Sequence, residues 1–145
     1  MTSIKSGLKV KDVMKTNVVV VNADAPVVEA AKLMAKHSIG SIVVIENNEV
    51  VGIITERDIV RKIVAQEKNS YIKIKEVMSH PIIVTSPEIS IESAANIMKK
   101  NNIRRLPVID KKGYIVGIIT ENDILKILPS LIDLIEEKAA LDVKD

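Results

Sequence analysis

The stretch Val51-Gly52-Ile53-Ile54-Thr55-Glu56-Arg57-Asp58-Ile59 returns later in the chain as Val116-Gly117-Ile118-Ile119-Thr120-Glu121-Asn122-Asp123-Ile124. Outward from this pair the correspondence continues in register. Lys11-Asp12-Val13-Met14 lies over Lys75-Glu76-Val77-Met78, Val20 over Val84, and Ala30-Ala31 over Ala94-Ala95. Met34 lies over Met98, Ile39 over Ile103 and Val44-Ile45 over Val108-Ile109, with one extra residue in the second copy before its closing motif. A match that runs from end to end of each copy is a tandem duplication, and it sets the frame for every other reading.

Each copy predicts the same series of elements. Val18–Val21 and Ile82–Thr85 are short apolar runs closed by turn residues, the pattern of buried strands. Val27, Ala30, Ala31 and Met34 recur at helical spacing, as do Ile91, Ala94, Ala95 and Met98. Two apolar runs about a short polar turn follow, Ser41–Ile45 with Val50–Ile54 and Leu106–Ile109 with Tyr114–Ile119, which predicts a β-hairpin. A last helix starts near Glu56 or Glu121. The unit is β-α-β-β-α twice, an α+β fold, with the copies over residues 8–66 and 72–128 and a helical tail over residues 129–145. A unit of this size with one small sheet is marginal alone, so the copies are expected to bury their apolar faces against each other about a pseudo-twofold axis.

Composition narrows the function. The 145 residues carry a formal net charge of +2, no Phe, no Trp and two Tyr. Neither a concentrated basic surface nor the aromatic platform of a single-strand binder is available, so nucleic acid is not the expected partner. The core is aliphatic instead, with 24 Ile and 19 Val. Zero Cys removes thiolate catalysis and zinc ribbons. No apolar run approaches the roughly 20 residues of a membrane span. Met1 to Lys11 has no apolar core of a signal peptide, which makes a cytoplasmic location the expectation. No nucleophile elbow, Gly-rich phosphate loop or cluster with metal-ligand spacing accompanies Glu56 and Asp58, so neither catalysis nor a metal is expected.

Two copies in register, each ending Gly-Ile-Ile-Thr-Glu-x-Asp-Ile, and Ile103-Arg104-Arg105-Leu106-Pro107-Val108-Ile109-Asp110 in the second, resemble a pair of cystathionine-β-synthase (CBS) domains, the Bateman module. The resemblance covers roughly Leu8 to Leu128. It implies a regulatory module without catalytic activity that needs no cofactor and binds AMP, ADP, ATP or S-adenosylmethionine in clefts between the motifs. It also implies Thr55 with Asp58, and Thr120 with Asp123, at the ribose, and Arg104 and Arg105 toward the phosphates. A carboxylate accepts hydrogen bonds from a vicinal diol, and a guanidinium fork binds phosphate, so the residue types suit these roles. Candidate walls for the adenine are Val18, Val19, Ile39 and Gly40 in one copy and His80, Ile82, Ile83 and Ile103 in the other. Since Gly40-Ser41 replaces Arg104-Arg105 in the first copy, the Asp123 site is expected to be the tighter, with Arg104 turned toward Asp58.

Each assignment has a structural alternative. Thr-x-x-Asp is also how a helix N-terminus caps itself. Arg104-Arg105 also reads as a solvated pair, and His80 as a surface histidine. The module as a whole also reads as a ligand-free protein-interaction scaffold. The wide apolar arcs of Ile59, Val60, Ile63 and Val64, and of Ile124, Leu125, Ile127 and Leu128, predict a homodimer. A separate regulated protein is a further expected partner.

Overall fold

The computed structural model describes residues 6–80 and 82–127; the expected tail over residues 129–145, with Leu128, lies outside them. The fold is α+β. In the first half, β1 (Val20–Asn22), α2 (Val27–His37), β2 (Ser41–Glu46) and β3 (Glu49–Thr55) follow a short helix α1 (Val10–Val13). The sheet order is β1-β2-β3, with β1 parallel and β3 antiparallel to β2. A four-residue helix α3 (Glu56–Ile59) continues into a π-helical turn, Val60–Val64, and a 3-10 turn at Ile74–Glu76 follows. The second half holds α4 (Ile91–Asn101), the antiparallel pair β4 (Arg105–Ile109) and β5 (Ile115–Thr120), and a helix α5 over 121–127.

The repeat extends to local detail. The stripe positions Val27, Ala30 and Met34 are buried, and so are Ile91, Ala94 and Met98. Helices α2 and α4 end at left-handed residues, Ser38 at φ 53° and Asn102 at φ 52°. Both hairpins shift register at the same place, between Val44 and Ile45 and between Val108 and Ile109. Ile42 and Ile54 lie at the centre of one core, Leu106 and Ile119 at the centre of the other, all fully buried. Each such side chain contributes about 1.5–3 kcal/mol.

The first strands depart from expectation. β1 spans Val20–Asn22 rather than Val18–Val21. The segment 82–85 forms no strand and makes only one parallel bridge, Thr85 with Val108. Proline is the cause. Ile118 spends both backbone groups on Lys15 (2.9 Å each), so the backbone of its other neighbour, Pro107, faces the 82–85 segment. There the Pro107 carbonyl accepts from the Thr85 amide at 3.0 Å, but Pro107 has no N–H to return. Val43, at the same position in the first copy, keeps its amide and pairs with Val20.

The cores exchange segments. Val10 is buried with Ile91, Leu106 and Ile119, and Leu8, Val13 and Met14 pack beside it, so α1 belongs to the second core. Ile74 and Val77 are buried with Val27, Ile42 and Ile54, flanked by Ile72 and Met78. Matching backbone hydrogen bonds hold both straps: Val10 N to Ile89 O and Ile74 N to Ala25 O, each 2.8 Å. The glycines of the repeated motif let each strap cross its sheet. A Cβ at Gly52 would lie 3.0 Å from the Ser79 carbonyl oxygen, and one at Gly117 3.0 Å from that of Lys15. Ser79 bridges Ile53 and Lys15 bridges Ile118, so each sheet gains one residue at that edge.

Candidate functional site

Where β3 ends, Thr55 turns the chain into α3 from an extended conformation (φ −119°, ψ 162°). Its Oγ1 accepts from the Asp58 amide at 3.0 Å, and Asp58 Oδ2 accepts from the Thr55 amide at 3.0 Å. Thr120 and Asp123 repeat this at the end of β5, at 3.1 and 3.0 Å. Each pair is a reciprocal cap satisfying two amides that the helix leaves free. The capping alternative is thus realised in both copies, with Asp58 8% and Asp123 6% exposed.

One oxygen of each carboxylate remains for other work. Asp58 Oδ1 accepts from Ser79 Oγ at 3.4 Å and lies 3.2 Å from Lys62 Nζ. Asp123 Oδ1 lies 3.4 Å from Lys15 Nζ. Ser79 and Lys15 are the two bridging residues, so the exchanged straps deliver a polar group to each aspartate. Neither residue was expected at the site, although the repeat carries the signal: each directly follows a Val-Met step that aligns between the copies.

Two cavities flank these turns. One, of about 290 Å³, is lined by Ser41, Ile53, Thr55, Ser79, Ile82, Ile83, Ile103, Arg104, Arg105 and Pro107. The other, of about 400 Å³, is lined by Lys15, Ser38, Ile39, Gly40, Arg104, Arg105, Thr120, Glu121, Asn122 and Lys126. Of the expected residues, Ile82, Ile83 and Ile103 meet at the first cavity, Ile39 and Gly40 at the second, and the two arginines at both. Val18, Val19 and His80 line neither; Val19 packs on the first core, and His80 is exposed. Asp58 and Asp123, each bonded to its threonine, are not among the residues lining either cavity.

The cavities differ in character. The Thr55 cavity is walled by isoleucines and carries one unpartnered buried hydroxyl, Ser41 Oγ, which makes no hydrogen bond among the described residues. Among the described residues, the Thr120 cavity carries four cationic side chains against Glu121. Arg104, expected to turn toward the Asp58 site, lines both cavities, and its Nε lies 3.9 Å from Glu121 Oε2. Burial pushes the Arg105 guanidinium below the usual arginine range, and the charge of Asp123 works in the opposite direction. A half-buried guanidinium with its charge disfavoured gains from any anion brought beside it. No group of His, Asp and Glu among the described residues has the arrangement of a metal site.

The CBS domain family model matches residues 10–65 and again residues 74–130. The chain belongs to the CBS domain family. Among relatives of this CBS pair, the CBS domain-containing protein YhcV of Bacillus subtilis is 37% identical over 115 residues, 79% of this chain and 81% of its own. The CBS domain pair of protein MJ0100, solved with 5′-methylthioadenosine and S-adenosyl-L-methionine, is similar at TM-score 0.76 and 31% identity, over 85% of this chain and 97% of that one. The CBS domain protein PAE2072 of Pyrobaculum aerophilum, solved with AMP, is similar at TM-score 0.72 and 28% identity, over 80% and 89%.

Proposed function

We propose that this CBS pair is a regulatory module that binds adenosine-containing ligands in the Thr55 and Thr120 cavities and catalyses no reaction of its own. The observation that carries this reading is a repeated one: each capped Thr-x-x-Asp turn stands at the rim of a cavity that also receives Arg104 and Arg105. The two solved relatives that hold S-adenosyl-L-methionine with 5′-methylthioadenosine, or AMP, support it. In the assignment proposed here, Asp58 Oδ1 and Asp123 Oδ1 accept from the ribose hydroxyls in place of Lys62 and Lys15, while Oδ2 keeps its capping role. Arg104 and Arg105 take phosphate, and the isoleucines flank the base. At about 290 and 400 Å³ the cavities lie around the lower limit for small-molecule sites.

Calorimetry with AMP, ATP and S-adenosylmethionine tests the reading. Micromolar binding of at least one is expected. Asp123→Ala removes one or two charge-assisted hydrogen bonds, so it weakens binding at its cavity by about 10- to 100-fold. Absence of binding by every adenosine compound would leave the interaction-scaffold reading in its place. The exposed Val60, Val64 and Leu125 support a homodimer, which sedimentation at micromolar concentration checks.

A further inference from the structure

Among the described residues, Arg104 and Arg105 are the only charged side chains lining the Thr55 cavity, and the same two line the Thr120 cavity, where Lys15 and Lys126 stand with them. The repeat does not supply a second pair, because the matching positions are Gly40 and Ser41. Arg104 is free to choose between the cavities: its side chain is 88% exposed and, among the described residues, held only by a 3.9 Å approach to Glu121. Arg105 makes no ion pair within 4 Å among the described residues, and its partial burial disfavours an uncompensated charge.

We infer that the two cavities share one arginine pair as a common anion anchor, so that each chain holds one phosphorylated ligand at a time. The first phosphate seats in the Thr120 cavity, where two lysines add to the arginines. It draws the pair to that side and leaves the Thr55 cavity, among the described residues, with hydroxyls, isoleucines and Pro107. That cavity then accepts an uncharged nucleoside and rejects a second phosphate. The coupling is reciprocal, as linkage requires, and it is electrostatic, so salt weakens it. The inference rests on the adenosine-ligand reading above and adds a charge rule to it.

The test is titration of the intact chain with AMP and with adenosine at low and at high salt. A second AMP is expected to bind at least about tenfold more weakly than the first. The AMP-loaded protein is expected still to take up one adenosine, and the gap between the two AMP sites to narrow in roughly 1 M salt. Gly40→Arg supplies a second anchor. A Cβ there lies 3.5 Å from Glu56 Oε1. The Gly40 carbonyl accepts from the Glu56 amide at 2.9 Å, just as Arg104 accepts from Glu121 at 2.8 Å. In that variant the second AMP is expected to strengthen toward the first. Two AMP molecules bound with equal affinity to the natural chain would overturn the inference and leave the ligand reading intact. So would AMP-loaded protein that refuses adenosine as strongly as it refuses AMP. Failure of both compounds to bind would remove the ligand reading as well. The titrations of the natural chain decide the matter even if the variant does not fold.

Discussion

Replacing Gly117 by alanine tests the strap crossing directly. A Cβ at that position lies 2.5 Å from Met14 Sδ and 3.0 Å from the Lys15 carbonyl oxygen. The methionine sulfur can swing aside. The carbonyl cannot, because it accepts from the Ile118 amide at 2.9 Å while the Lys15 amide donates back to Ile118 at 2.9 Å. Crowding of this kind costs about 1–3 kcal/mol. Loosening the bridge adds about 1 kcal/mol for each hydrogen bond weakened. Against this, alanine restricts the unfolded chain and returns about 0.4–1 kcal/mol. The expected result is a net loss of about 2 kcal/mol, or a melting point lower by roughly 6 °C. Gly52→Ala meets Met78 Sδ at 2.7 Å and the Ser79 carbonyl oxygen at 3.0 Å, and is expected to lose a similar amount. Urea denaturation measures both. If both variants equal the natural protein, or gain the increment of an unconstrained strand glycine, the close crossing is not what these glycines serve.

Other expected outcomes follow from single positions. Ser38 sits at φ 53°, which costs a β-carbon residue about 1–2 kcal/mol; Ser38→Gly should therefore gain roughly 0.5–1 kcal/mol after the flexibility of glycine is subtracted, read as a higher urea midpoint. Pro107→Val restores an amide facing the 82–85 segment, and that new amide should exchange with solvent slowly, as a paired strand amide does. Hydrogen bonds from Lys9 and then Lys11 hold the exposed Glu88 carboxylate below the usual glutamate range. Its contribution to α1 docking is thus full above the unfolded-chain value and is lost as pH falls through the lower folded value. The stability difference between the natural chain and Glu88→Gln should be present at neutral pH and vanish in acid.

The order of elements is legible in the sequence because apolar spacing reports burial. Val27, Ala30 and Met34 occupy one helix stripe whatever they pack against, and their repeat partners Ile91, Ala94 and Met98 behave alike. Burial pattern carries no address, however. Val10 and Ile74 are apolar at matching positions, and nothing in that pattern says that each fills the core of the opposite copy. The shortened second ladder follows from one residue, Pro107, whose missing amide is visible in the sequence but whose orientation depends on Lys15 having taken the other side of Ile118. At the site, Thr55, Thr120 and both arginines reach cavities, whereas Val18, Val19 and His80 stand elsewhere. The aspartates are less available than their spacing suggests, since one oxygen of each is committed to a helix end. Ser79 and Lys15 go unnoticed by local reading because each comes from a segment that the sequence assigns to the other copy.

The crossed straps make the duplicated chain a clasp rather than two beads. Severing it in the polar connector at Gln66–Ser70 would not liberate two miniature proteins. One fragment would keep a strap cut for its neighbour and lack its own, and the other would be deprived in the same way, each with an aliphatic wound where Ile74 or Val10 had sat. The two pieces are therefore expected to be sticky apart and to mend each other when mixed.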